Sequence, residues 1–231
     1  MRVHVPQFLG ELSALGIERA LVVTGSGERP VGSLEALREH ARRQQKSSAT
    51  GGGPKLHVAF NPYEPALDGE LDRLRAKLST GVVAGVWLQL GSDPEALRRG
   101  LEQLEAIARD EQAPKLELYG SVLMPSKQLL ARFRFRPWVG VRFSDEYLTD
   151  VDAARGITRA VLQVYEAHGV TPLWESRINT GADADDIQGL MDEAADASAP
   201  AAGTPAATAG GAAAYDGGRR QPKRQRQLAD N

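Results

Sequence analysis

Between Lys55 and Leu104 two short apolar runs alternate with two helical patterns. The first run is Leu56-His57-Val58-Ala59-Phe60, closed by the turn cluster Asn61-Pro62-Tyr63-Glu64-Pro65. Leu67, Leu71, Leu74 and Leu78 then recur at helical spacing, with charges between them and Gly81 as the stop. The second run, Val82 to Leu90, is apolar until Gln89. Ser92-Asp93-Pro94-Glu95 starts another helix. Proline suits a first turn, where an N–H has no partner to lose, and acids suit the positive end of the helix. Strand, helix, strand, helix within about fifty residues predicts parallel strands joined by right-handed crossovers.

Two polar residues stand out against this frame. Gln89 is near the C-terminal end of an apolar strand, where parallel α/β proteins place their ligands. Its amide either hydrogen-bonds a ligand or satisfies a loop amide. Lys77 sits beside the apolar stripe of its helix.

The flanking sequence extends the pattern. Pro6 to Leu15 reads as an amphipathic helix ended by Gly16, and Ile17 to Val23 as a strand. The Gly25-Ser26-Gly27 turn after it can present backbone N–H groups to a phosphate, or is simply a flexible βα loop. Ser33 caps a helix from Leu34 to about Gln45. Residues 116–123 alternate apolar and polar and then run apolar, which predicts a strand. Lys127 to Phe135 and Val151 to Ala167 suit helices, and Thr171 to Trp174 a last strand. Five strands are expected, at 19–23, 56–60, 84–90, 116–123 and 171–174.

Composition excludes several classes. The 231 residues suffice for one domain of moderate size. A net charge of −2 gives no global field toward nucleic acid or membrane. The absence of cysteine removes disulfides, thiolate metal sites and cysteine nucleophiles, and no metal site is expected. No apolar run reaches membrane-helix length, so a cytoplasmic protein is expected. Arg132, Arg134, Arg136 and Arg142 interleave with Phe133, Phe135, Trp138 and Phe143, a pattern that can bind single strands by stacking. It also suits packing, and nucleic acid is not expected as a partner. From Gly181 the chain is rich in Ala and Gly, and Arg219 to Arg226 forms a basic run. A basic run can serve as a nuclear address or a nucleic-acid contact, or simply be solvated. Residues 1–180 are expected to fold, and 181–231 to form a disordered tail with a basic C-terminus.

The order and spacing of several segments resemble methylenetetrahydrofolate reductase. They are Val58-Ala59-Phe60-Asn61-Pro62, then Glu70 to Leu78 with its Leu71, Leu74 and Lys77, then Gly81, then Val86 to Glu95 with Gln89 and Asp93. Gly120 to Pro125 is similar to the family's "P-G-I-M-P". Trp174 to Thr180 is similar to its "F-Y-T-L-N-R", with Asn179 matching and Thr180 in place of the family's Arg.

The resemblance implies a flavin-dependent (β/α)8 barrel reducing 5,10-methylenetetrahydrofolate to 5-methyltetrahydrofolate with NAD(P)H through bound FAD. It implies Ser26 (or Glu28, if the loop is offset by two), Glu70 and Lys77 as flavin-binding groups, and Gln89 and Asn179 as folate-binding groups. In this alignment the first three barrel strands, including the one that carries the family's catalytic Glu, have no counterpart. An incomplete barrel of about five parallel strands is therefore expected, with no catalytic residue assigned. Such a sheet has open edges, so a homo-oligomer or a missing N-terminal barrel half is the expected partner. The alternative function is a non-catalytic interaction protein derived from the reductase barrel.

Overall fold

A computed structural model of the chain describes residues 5–24, 32–46 and 53–198. Five parallel strands lie side by side in chain order: β1 (Arg19–Val22), β2 (Lys55–Phe60), β3 (Val83–Leu88), β4 (Glu117–Val122) and β5 (Thr171–Trp174). The register aligns Val58 with Val86, Val86 with Leu118, and Tyr119 with Thr171. Helices fill the crossovers: α1 (Val5–Ala14) precedes β1, and α2 (Ser33–Lys46), α3 (Leu67–Leu78) and α4 (Pro94–Asp110) follow β1, β2 and β3. Between β4 and β5 come α5 (Lys127–Phe135), α6 (Asp145–Thr149) and α7 (Val151–Ala167). Sequential parallel strands with helical crossovers form an incomplete (β/α) barrel, the architecture that the sequence pattern predicts.

The helix-facing side of the sheet carries the main core. Val58, Phe60, Val86, Leu88 and Val122 pack against Leu74 and Leu78 of α3, Leu97, Leu101 and Leu104 of α4, and Val161 and Tyr165 of α7. Local chemistry fixes where these helices begin. Asp93 accepts from the Glu95 and Ala96 amides at 3.0 and 2.9 Å, with Pro94 in the first turn. Asp150 accepts from the Ala153 amide at 2.8 Å to start α7. Gly120 lets α7 close on β4: a Cβ there would lie 2.2 Å from the Tyr165 ring.

The basic–aromatic cluster packs. Phe133 and Phe143 have ring centroids 4.5 Å apart, Phe143 stacks on Tyr147 at 4.6 Å, and the Arg132 guanidinium sits 5.6 Å over Trp138. Phe135 stands out at 90% exposed, and the arginines of this group are exposed as well.

Two features depart from the sequence expectations. The short α6 is an addition. More consequentially, the disorder expected from Gly181 onward does not hold through Ser198, because Gly181–Ser198 forms the helix α8. Thr180 and Asp183 cap it reciprocally: the Asp183 carboxylate accepts the Thr180 amide at 2.8 Å, and the Thr180 hydroxyl oxygen accepts the Asp183 amide at 3.2 Å. Ile187, Leu190 and Ala194 form a buried stripe, and α8 packs on α7. Asp186 pairs with Arg155 and Glu193 with Arg159, both at 3.0 Å. The physical reason is the stripe: apolar residues at three- and four-residue spacing fold onto a neighbouring helix despite an Ala- and Asp-rich composition. Residues 199–231, including the basic run, lie outside the described residues.

Candidate ligand-binding face

Strand alternation sends every second side chain to the inner face, away from the helices. On that face lie Arg19 and Leu21 of β1, Lys55 and His57 of β2, Gly85 and Trp87 of β3, and Glu117, Tyr119 and Ser121 of β4. They sort into three levels along the strands.

At the N-terminal level Glu117 is clasped by two cations. Arg19 Nε donates to it at 2.8 Å, Lys55 Nζ also pairs with it, and the Tyr119 hydroxyl donates at 3.2 Å. The Arg19 hydrogen bond, and then that of Lys55, hold its carboxyl down to about 2. His57 is 0% exposed beside this cluster. Its ring fits because residue 85 is glycine: a Cβ there would lie 2.6 Å from the Glu117 carbonyl oxygen and 2.8 Å from the His57 ring. Burial lowers the His57 pKa, and Glu117 opposes that shift.

The middle level is aromatic. Trp87 Nε1 donates to His57 Nδ1 at 2.9 Å, which sets the tilt of the indole. Trp87 and Tyr119 have ring centroids 5.6 Å apart at 47°, and Tyr119 stacks on His57 at 5.7 Å. Both Trp87 and Tyr119 are half-buried, so the pair presents a supported aromatic surface.

The C-terminal level is polar. Asn61 is held in the turn after β2: its side-chain carbonyl accepts the Tyr63 amide at 3.1 Å, and its Nδ2 donates to the Gly140 carbonyl at 3.2 Å. Gln89 follows β3 and shares the Trp87 face. Its backbone N–H still bonds Phe60 at 2.9 Å, and its Oε1 accepts the Leu90 amide at 2.9 Å. That bond fixes the side chain and leaves the Nε2 donor free of any partner among the described residues. Ser121 Oγ donates to Glu175 Oε1 at 2.5 Å.

Among the described residues, Glu70, Lys77 and Asn179 do not join Gln89 at this rim. Glu70 accepts the Asn61 amide at 3.1 Å and Arg73 Nε at 2.9 Å, so both its oxygens are engaged. Lys77 Nζ donates to the Ala59 carbonyl at 3.1 Å, and burial pulls its pKa below the usual lysine value, with Glu70 opposing. These two side chains brace the end of β2, each engaged with protein partners. Asn179 lies on an exposed turn, its backbone N–H held by Asp183 at 2.9 Å. Ser26 and Glu28 lie outside the described residues. Sequence reasoning missed the Trp87–Tyr119 surface and the Ser121–Glu175 pair. The signal was the alternation Glu117, Tyr119, Ser121 within an otherwise apolar strand.

Fold and face together define an open, five-stranded relative of the (β/α) barrels with an aromatic, polar-rimmed inner side. No protein-family model matches the chain, and no curated protein matches it in sequence. Among solved structures it is similar to one described as an uncharacterized protein from Clostridium thermocellum that binds two copies of 5-methyl-5,6,7,8-tetrahydrofolic acid. The TM-score is 0.50 at 12% identity, covering 84% of this chain and 70% of that one. At that identity the likeness is one of fold.

Proposed function

We propose that this chain binds a reduced folate on its inner face, at the carboxyl ends of β2 to β5. The observation that carries the reading is the half-buried Trp87–Tyr119 surface beneath a free Gln89 amide N–H. A pterin is a flat heteroaromatic with donors and acceptors around its edge. It needs a ring to stack on and fixed polar groups at its rim, and both are present here. The similar structure described as binding 5-methyl-5,6,7,8-tetrahydrofolic acid supports the ligand class.

Calorimetric titration with 5-methyltetrahydrofolate tests the reading, with Gln89→Leu as the control. Removing the amide weakens binding by about 1–3 kcal/mol, because a ligand acceptor loses its buried partner. It also removes the Leu90 contact, so stability falls by only about 1 kcal/mol. A wild-type chain that gives no heat with the folate rejects the proposal.

Reduction of 5,10-methylenetetrahydrofolate by NAD(P)H through FAD is the finer form of this reading, and it rests on the sequence resemblance. FAD would supply the hydride chemistry. Flavin colour in the purified protein, or quenching of FAD fluorescence on mixing, supports it. A colourless chain that binds folate and leaves FAD fluorescence unchanged is a binding module without reductase activity.

A further inference from the structure

We propose that Glu175, held by Ser121, recognises the 2-amino-4-oxopyrimidine edge of the bound ring, and thereby selects the ligand. This inference rests on the folate reading above. Glu175 directly follows β5, and its backbone N–H donates to the Val122 carbonyl at 2.9 Å, so the ladder continues one residue past the strand. That bond, and the 2.5 Å contact with Ser121, fix the carboxylate on the inner face beyond Tyr119. A carboxylate only accepts, so the Ser121 hydroxyl is the donor, and Glu175 Oε1 is oriented before any ligand arrives.

Glu117 is neutralised by Arg19 and Lys55. Glu175 has no cation partner among the described residues, and its Oε2 has no hydrogen bond there. It is a charged acceptor pair at the ligand end of a parallel sheet, oriented and uncompensated. The group that completes it is a planar edge with two adjacent N–H donors.

The aminopyrimidinone edge of a pterin is such a group. Its exocyclic amine and neighbouring ring N–H point the same way and match the two oxygens of one carboxylate. The Gln89 Nε2 donor, one strand away from Ser121, suits the carbonyl oxygen on the same ring. Trp87 and Tyr119 supply the stacking surface beneath. Guanine carries the same edge, so the site chemistry alone admits pterins and guanine nucleotides alike.

The test is calorimetry on the full chain with 5-methyltetrahydrofolate, its 2-desamino analogue and GMP, for wild type, Glu175→Gln and Ser121→Ala. Glu175→Gln places an amide donor against the ligand's donors, and 5-methyltetrahydrofolate affinity is expected to fall about tenfold to a hundredfold, the range for hydrogen bonds to a charged group. Ser121→Ala frees the carboxylate and costs a smaller factor. The 2-desamino analogue binds wild type weakly and loses little more in Glu175→Gln. Preference for GMP over the folate, lost in Glu175→Gln, keeps the role of Glu175, identifies guanine as the source of the edge and overturns the folate reading. Unchanged folate affinity in a folded Glu175→Gln overturns this inference and leaves the folate reading standing. A wild type that binds none of the three overturns both.

Discussion

His57 accepts the Trp87 indole N–H on Nδ1 and leaves Nε2 at 3.6 Å from a Glu117 oxygen, with no hydrogen-bond partner among the described residues. The groups around it are Glu117, Arg19 and Lys55, together with the Tyr119 ring. Burial disfavours the imidazolium, so its pKa in the folded chain is below 6.5. As pH falls through 6.5, the unfolded chain takes a proton that folded His57 resists, and stability falls. Glu117 acts in a lower window. Its carboxylate contribution is fully present above the ordinary value of 4.5 and is lost as pH drops toward about 2. The urea midpoint is therefore expected to decline with acidification in two stages. Glu117→Gln flattens the lower stage, and His57→Gln the upper one. Identical midpoint-against-pH curves for wild type and both variants would reject this account. At this scale the sequence offered little. His57 reads as one polar residue in an apolar strand, and the inner-face register that brings Arg19, Lys55 and Glu117 together joins residues up to 98 positions apart.

The strands and the long helices were readable because their burial is written into local pattern. A parallel strand covered on one face by helices and on the other by its own aromatic layer reads as a near-continuous apolar run, as in Leu56 to Phe60. The helix α4 announces itself by Asp93-Pro94 and a leucine stripe. The helix α8 was hidden for the opposite reason: its stripe is thin, and Ala, Gly and Asp around it resemble a solvated tail. Its capping pair, Thr180 and Asp183, was nonetheless in the sequence at capping-box spacing. Leu190 tests whether α8 is structural, since it is 0% exposed. Leu190→Ala is expected to cost about 2–4 kcal/mol by lost burial and the cavity left behind, read as a lower urea midpoint. A change within roughly 0.5 kcal/mol, the range of ordinary surface substitutions, would mean that α8 does not hold to α7 in solution.

At the scale of the molecule, the five strands among the described residues leave two sides of the sheet open. Among the described residues β1 and β5 each have a single neighbour, so each keeps an unpaired backbone edge. The β1 side is also apolar: Leu21 is 38% exposed and Val23 55%. Covering a Leu or a Val fully yields about 1.5–3 kcal/mol each, whereas association costs an estimated 4–15 kcal/mol. These side chains alone therefore support weak self-association, and a tight dimer would need edge pairing as well. The expected behaviour is a reversible rise in mass with concentration in sedimentation equilibrium. Leu21→Glu puts a charge on the β1 edge without emptying the core, so it should return the chain to monomer while shifting stability by no more than roughly 0.5 kcal/mol. Because Leu21 lies in register with His57 on the inner face, association through that side would cover the face proposed to hold the folate. Saturating 5-methyltetrahydrofolate should then favour the monomer, by linkage between the two occupants of one surface. A wild type that stays monomeric at high concentration rejects the open-edge account. Self-association that Leu21→Glu leaves intact would move the contact to the β5 side.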